Sequence, residues 1–314
     1  MTINKKLIPR NSSIVIGLSG GPDSVFLLHH LAAFLQNGHI KTLIAAHLDH
    51  EWRDDSYKDV DFCRKITKKY RVPLVDAKIS NLSISIKFNG SKEEFGRIAR
   101  RHFFETICKK NNMDFITLAH HAQDQQETFF IRLLRGASIS GLAAMKPIHD
   151  IYIRPLLDIN KSDILSFLDK NNIAYLTDPS NTSSQFLRNR IRNNVLPALR
   201  TSDNRFDKKF KETLSNLQEV DLFLEQEAKK QFNRISEKTE TGYVIVAHQL
   251  LHLDPVLCKR VLVHWLCLEK VQFPVSSGFF AEVLRFLQQP HGGTHNLCPN
   301  WSMVKKRGYA YLVK

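Results

Sequence analysis

Between Ile14 and Leu35 the chain reads as a short apolar run, a hexapeptide Ser19-Gly20-Gly21-Pro22-Asp23-Ser24, and an apolar helical stretch that starts at Val25. No other segment constrains the fold as strongly. An apolar run of strand length, Ile14 to Leu18, ends at glycines and reads as a buried strand. The glycine turn Ser19 to Ser24 follows, and an apolar helical stretch from Val25 to Leu35 is closed by Asn37-Gly38. A strand that passes through a tight glycine turn into a helix opens a βαβ unit, whose parallel strands must be covered on both faces.

The pattern recurs along the first two thirds of the chain. Strands are expected at Thr42 to Leu48, Leu74 to Lys78 and Phe115 to His120, with a helix over about Ser56 to Tyr70 and another before the fourth strand. This alternation predicts an α/β fold with a doubly wound, mostly parallel five-stranded sheet. Its ligands belong in the crevice beyond the carboxyl ends of the strands. A boundary is expected near residue 200, after the basic segment Gln185 to Leu199 and at the charged run Thr201 to Lys211. That gives a catalytic domain over 1–200 and a smaller, mainly helical C-terminal domain over 201–314. The latter is expected to hold helices at Asp207 to Asn233 and Asp254 to Glu269, a strand at Tyr243 to Ala247 and an extended tail from Trp301 to Val313.

Charge narrows the partners. Across 314 residues, 45 Lys and Arg against 31 Asp and Glu give a net charge of +14. A polyanion, nucleic acid first, is the expected partner, with a solvated basic surface or a membrane-surface protein as the alternatives. No apolar stretch approaches the ~20 residues of a membrane span, and Met1 to Asn11 is polar, so a cytoplasmic location without membrane contact is expected. The five cysteines, Cys63, Cys108, Cys258, Cys267 and Cys298, contain no Cys-x-x-Cys pair and are expected to be reduced structural thiols.

The hexapeptide carries the chemistry. Glycines let the backbone approach an anion, and amides and hydroxyls at a helix N-terminus hold phosphate oxygens. Ser19, Gly20, Gly21, Pro22, Asp23 and Ser24 are therefore candidate phosphate-binding residues. A carboxylate in such a loop repels phosphate unless a divalent cation stands between them, which makes Asp23 a candidate magnesium ligand. The alternative is an ordinary capped turn. The chain has neither Gly-Lys-Ser/Thr of a Walker loop nor G-x-G-x-x-G, which argues against P-loop NTPases and dinucleotide enzymes.

The hexapeptide resembles the PP-loop of the ATP-pyrophosphatases, which split ATP between the α and β phosphates and transfer AMP to an oxygen. Four further segments resemble the lysidine synthetase branch of that family and cover most of residues 14 to 200. Leu48-Asp49-His50-Glu51-Trp52-Arg53-Asp54-Asp55-Ser56 is similar to Val-Asp-His-Gly-Leu-Arg-x-x-Ser, with Glu51 and Trp52 departing. Read alone, Asp49 and His50 cap the next helix. The segment Glu93 to Arg101 is similar to Asn-x-Glu-x-x-Ala-Arg-x-x-Arg-Tyr, with Ser91 in place of Asn and Arg101 in place of Tyr. Helical spacing puts Phe95, Ile98, Ala99 and Phe103 on one face and Arg97, Arg100 and Arg101 on the other. Those arginines suit phosphate or RNA backbone, or equally a solvated face with Glu93 paired to Arg97.

The third segment, Ala119 to Thr128 followed by Arg132-Leu133-Leu134-Arg135-Gly136, resembles His-His-x-Asp-Asp-Gln-x-Glu-Thr with its trailing Arg-Leu-x-Arg-Gly. Gln123 replaces the first Asp and Asp124 keeps the second. His120 and His121 suggest zinc, but no further Cys or His lies nearby at ligand spacing. The last comprises Arg154-Pro155-Leu156-Leu157, Asp178-Pro179-Ser180-Asn181 and Phe186-Leu187-Arg188-Asn189-Arg190-Ile191-Arg192. These are similar to Arg-Pro-Leu-Leu, Asp-x-Ser-Asn and Phe-x-Arg-Asn-x-Ile-Arg, and without the resemblance read as a turn and a solvent-facing basic helix.

The resemblance implies an adenine-nucleotide-hydrolase-like fold and a tRNA-modifying ligase that uses ATP and magnesium. The implied substrates are an isoleucine tRNA with a CAU anticodon and free L-lysine. The C2 oxygen of the wobble cytidine would be adenylated, and the lysine ε-amine would then displace AMP to form lysidine, switching codon reading from AUG to AUA. It implies catalytic roles for Asp23, Arg100, His120, Asp124 and Arg188, and ATP contacts at Ser19, Gly20, Gly21, Pro22, Asp23, Ser24 and His50. Lysine or tRNA contacts are implied at Arg97, Glu127, Arg135 and Arg192. The domain over 201–314 would bind tRNA as a basic module. Two other readings stay open: a sulfur-inserting PP-loop enzyme acting on tRNA, against which the lack of Cys-x-x-Cys counts, and a nonenzymatic tRNA-binding protein of the same fold. The oligomeric state stays open, a homodimer included.

Overall fold

Ile14, Val15 and Ile16 have no exposed surface, because β1 (Ser13–Gly17) is an interior strand paired in parallel with β2 (Thr42–Asp49) on one side and β4 (Phe115–Thr117) on the other. The computed structural model describes residues 2–82, 92–177 and 187–314, without the side chain of Glu93. Ser91, Asp178-Pro179-Ser180-Asn181 and Phe186, named in the motifs above, lie outside the described residues. The chain divides into two compact units, Met1–Lys211 and Glu212–Lys314.

In the first unit the strand order is β3-β2-β1-β4-β6-β5, with β3 at Leu74–Lys78, β5 at Ile148–His149 and β6 at Tyr152–Ile153. Five strands are parallel, as expected. The sixth, β5, is a two-residue antiparallel addition at the edge, joined to β6 through Asp150 at a φ of 54°. Strand alternation sorts the core into two layers. Ile14 and Ile16 pack with Val25, Phe26, Leu28 and Leu31 of α1 (Pro22–Gln36), and Val15 packs with Ala99, Phe103, Phe104 and Ile107 of α3 (Lys92–Lys110). Each such side chain buried contributes roughly 1.5–3 kcal/mol against chain entropy. Helices α2 (Tyr57–Tyr70) and α6 (Lys161–Lys170) complete the first layer through Cys63, Ile66, Ile164 and Leu168. Helix α4 (Ala122–Leu134) follows β4, α5 (Ile139–Leu142) follows α4, and α7 (Leu187–Arg190) runs through a π turn at Ile191–Val195 into α8 (Leu196–Ser202).

Helix α9 (Phe206–Ile235) begins in the first unit and continues into the second. The second unit contains α10 (Ala247–Leu251), α11 (Pro255–Leu268) and α12 (Ser277–Gln288). Beside these helices lies a five-stranded antiparallel sheet, ordered β7-β8-β11-β10-β9, that patterning revealed only in part. Its strands are β7 (Ser236–Thr239), β8 (Gly242–Val246), β9 (Gly293–Cys298), β10 (Trp301–Lys306) and β11 (Tyr309–Val313). Trp265, Leu262, Val283 and Met303 form the fully buried centre of this unit. Residues 212–314 hold 12 Lys and Arg against 10 Asp and Glu, so most of the positive excess lies in the first unit. No helix among the described residues is long and apolar enough to cross a membrane.

Candidate active site

The hexapeptide forms the turn between β1 and α1. Gly20 has a φ of 80°, a left-handed conformation that favours glycine, and a Cβ there would lie 2.9 Å from Leu176 Cδ1. The Leu176 amide donates to the Gly20 carbonyl at 2.9 Å. Inside the turn, Ser24 Oγ donates to the Gly21 carbonyl at 2.9 Å and receives the Ser19 amide at 3.2 Å. These bonds close the loop on itself. Pro22 takes the first helical position, where its missing amide costs nothing.

Asp23 projects from the first turn of α1, and both its carboxylate oxygens lie 2.6 Å from Nζ of Lys161 at the start of α6. His121 Nε2 stands 3.7 Å from the same carboxylate. Among the described residues no group of three His, Cys, Asp or Glu gathers to hold a metal ion. A lone carboxylate does fit magnesium carried in by a triphosphate, since that ion keeps few protein ligands and shares phosphate oxygens. The zinc suggested by His120-His121 finds no such set.

His121 caps α4. Its Nδ1 accepts the Gln123 amide at 3.2 Å, and its Nε2 faces Asp23 at 3.7 Å and Asp124 at 3.5 Å. Asp124 Oδ2 in turn accepts the His121 amide at 2.9 Å. One helical turn on, Glu127 is fully buried. Arg188 bonds Asp124 and Glu127 at 2.6 Å each, and Arg192 bonds Glu127 at 2.6 Å. Burial alone would raise the Asp124 pKa, but His121, His120 and Arg188 outweigh it and hold this carboxylate well below its usual range. Burial pulls the other way on Arg188 too, and Asp124 and Glu127 overcome it, keeping the guanidinium charged.

His120 is half-buried, and its Nδ1 is enclosed without a hydrogen-bond partner. Burial lowers its pKa to about 4, Asp124 opposes that, and Arg154, Arg188 and Arg100 add to it, so the ring is neutral near pH 7. His50 behaves alike: burial, then Arg100 and His47, bring it to about 4, against the pull of Asp49. The exposed Arg100 thus acts electrostatically on both histidines. His50 stacks on Trp52 with centroids 4.7 Å apart. Glu51, where the resembled motif has glycine, takes a φ of 52° and is held by Ser80 and Asp49.

The expected residues do not all converge. Asp23, His120, Asp124, Glu127, Arg188 and Arg192 gather around the N-terminus of α4. Arg97 pairs with Glu94 at 2.5 Å on the exposed side of α3, and the Glu93 side chain of the alternative pairing lies outside the described residues. Arg135 caps the far end of α4, about 16 Å along the helix from Asp124. Sequence reasoning missed Lys161 and passed over His121. A lysine in the first turn of a helix opposes the helix dipole, and that local conflict was the available signal.

The cysteines fit structural roles. Cys63, Cys108 and Cys258 are buried, and none of the five is disulfide-bonded. Burial, aided by Asp59 and Asp76, pushes the Cys63 thiol up to about 12, and burial pushes Cys258 to about 11.

Residues 2–199 match the PP-loop domain family. The chain is 35% identical over 265 residues to a tRNA(Ile)-lysidine synthase of Bacillus subtilis, covering 82% of this chain and 56% of that protein. It is 31% identical over 299 residues to a tRNA(Ile)-lysidine synthase of Bacillus cereus, covering 91% of this chain and 62% of that protein. The chain therefore spans a little over half the length of the curated relatives it matches. Among solved structures, a U34-tRNA thiolase, NcsA, from Methanococcus maripaludis superposes with a TM-score of 0.58 at 18% identity, over 69% of this chain and 76% of that one. That likeness is one of fold. On the match over residues 2–199, together with the glycine turn that joins β1 to α1, this chain belongs to the PP-loop domain family.

Proposed function

We propose that the chain is a tRNA(Ile)-lysidine synthase that adenylates the wobble cytidine of a CAU-anticodon isoleucine tRNA and couples it to free L-lysine. The observation that carries this reading is the pair of carboxylates Asp124 and Glu127, one turn apart on α4 and linked through His121 to the phosphate-loop residue Asp23. An acidic pair beside a phosphate cradle suits a cationic amino acid held against an activated nucleotide.

In the first step the cytidine O2 attacks the α-phosphorus, the Pα–O–Pβ bond breaks, and pyrophosphate leaves with the bonding electrons. Ser19 to Ser24 and the amides opening α1 cradle the phosphates, and His50 lies beside the nucleotide. Asp23 would hold magnesium, which would supply charge neutralisation at the phosphates. In the second step the neutral lysine amine attacks C2, the C2–O bond breaks, and AMP leaves with that oxygen. Asp124, held far below the usual carboxylate range, is suited to orient the amine and poorly suited to take its proton. His120 is neutral near pH 7 and so adds no positive charge to repel the lysine amine. Arg188 and Arg192 occupy both carboxylates here, so the lysine ammonium must compete with them. Arg100 supplies positive charge beside both histidines. Arg97 and Arg135, away from this cluster, are proposed as contacts to the tRNA backbone, with the domain past residue 200 adding further tRNA contacts.

Sulfur insertion is disfavoured at Cys63 and Cys258, whose buried thiols are pushed up to about 12 and about 11, because the thiolate is the reactive form. The test is transfer of labelled lysine to the tRNA by the chain and by its Asp23→Ala variant. A binding protein would hold tRNA equally in both, whereas the enzyme loses ATP turnover with Asp23.

A further inference from the structure

Trp52 stands where the resembled motif has leucine, and it is 43% exposed although tryptophan is mostly covered in folded chains. The indole stacks on His50 just past the end of β2, with planes 28° from parallel. Its edge abuts Gly96 of α3, where a Cβ would lie 2.6 Å from Trp52 Cζ2. A glycine at 96 therefore leaves the space that the indole fills. The turn beneath it is held as well, because the Glu51 carboxylate accepts the Ser80 amide at 3.0 Å. A ring supported in this way and still open to solvent is pre-organised to receive a second flat ring. Lys92 Nζ, on an exposed side chain, lies 5.6 Å from the indole centroid, within cation–π range. Arg100 is near enough to His50 and His120 to act on both, so the indole borders the crevice of the proposed reaction.

We propose that Trp52 is a stacking platform for an unstacked base of the RNA substrate, a neighbour of the target cytidine, with Lys92 moving from the indole to the phosphate beside that base. This rests on the tRNA-modifying reading above. Drawing the cytidine out of the anticodon loop unstacks its neighbours, and an exposed indole restores to one of them the stacking it has lost. Stacking on an aromatic face tolerates any base, so Trp52 positions the loop without choosing its sequence. The adenine of ATP is a ring of the same class. The ammonium over the indole favours RNA, in which each base carries a phosphate beside it, whereas the phosphates of ATP are assigned to the loop from Ser19 to Ser24.

The experiment is titration of the full chain with a CAU-anticodon stem-loop RNA and, separately, with ATP, magnesium present throughout, for wild type, Trp52→Leu and Trp52→Phe. Affinity and tryptophan emission are read together, with a thermal melt of each protein. Trp52→Leu restores the residue of the resembled motif and removes the aromatic face, and its emission reports what Trp265 and Trp301 contribute. The RNA is expected to quench wild-type emission, and Trp52→Leu to lose most of that quench and to bind the RNA about tenfold more weakly. Trp52→Phe is expected to stay within about threefold of wild type for the RNA, and ATP affinity to change less than about twofold in both variants. Unchanged RNA affinity in Trp52→Leu would overturn the proposal while leaving the tRNA reading intact. A loss for ATP as large as that for RNA would give the indole to adenine and overturn it, as would a Trp52→Phe protein as weak as Trp52→Leu. Failure of the wild-type chain to bind the stem-loop would overturn both this proposal and the reading on which it rests.

Discussion

Arg188 Nε donates to Glu127 Oε2 at 2.6 Å, and Glu127 has no exposed surface. Because Arg192 bonds the same carboxylate, one buried charge answers two guanidinium groups that are themselves mostly covered. Removing one member of such a set leaves uncompensated charge, which costs more than the pair contributes. Glu127→Gln is expected to destabilise the first unit by about 3 kcal/mol in urea unfolding. A change near zero would show that the arginines find water or other partners without cost.

Gly20 tests the loop. Alanine there meets a left-handed backbone and a Cβ contact of 2.9 Å with Leu176. Gly20→Ala is expected to cost about 1–2 kcal/mol of stability and to weaken ATP binding. Adding Leu176→Ala should relieve the clash but not the backbone strain, so the double variant recovers only part of the loss. Full recovery, measured by thermal melts and ATP titration, would contradict the assignment of strain to the φ angle.

The histidines make stability depend on pH. His30 packs against Phe26 and Phe167 with centroids 4.5 and 5.3 Å away, and burial, then His29 and the N-terminal charge, lower its pKa from 6.5 to about 4. The folded state therefore favours the neutral ring. Its stabilisation is complete above the unfolded value of 6.5 and is lost as pH falls towards about 4. His50 and His120 act in the same direction. Melting temperature is expected to fall between pH 7 and pH 4.5, and His30→Phe to shallow that slope. Parallel slopes in the two proteins would contradict the assignment.

The parallel half of the fold was legible because its strands and helices are apolar runs of distinct length, with the glycine turn between β1 and α1 as punctuation. The β5–β6 hairpin was not, since each strand has two residues and the turn uses Asp150 without an Asn-Gly signal. β9 was missed because Gly293 to Cys298 shows little apolar alternation. In the site, Asp124, Glu127 and Arg188 were named through the resemblance, whereas the helix-start conflict marks Lys161 but not its partner Asp23, 138 residues away. Glu51 is the reverse case: its φ of 52° supplies the physical reason for glycine in the resembled motif.

The cysteines separate the proposed chemistry from sulfur transfer. Cys63 is buried with its thiol pushed up to about 12, so it should resist alkylation in the folded chain, while the exposed Cys267 reacts first. Cys63→Ala is expected to retain activity within about threefold, because a thiol in this state is not a nucleophile. Loss of activity with an unchanged melting temperature would return the sulfur-inserting reading.

The central claim is tested most directly by incubating the chain with labelled lysine, ATP and magnesium, supplying unmodified CAU-anticodon isoleucine tRNA and, separately, methionine tRNA. The account predicts lysine in the isoleucine tRNA alone, with AMP and pyrophosphate released in equal amounts. ATP cleavage without lysine transfer would contradict it and leave a PP-loop enzyme with a different acceptor.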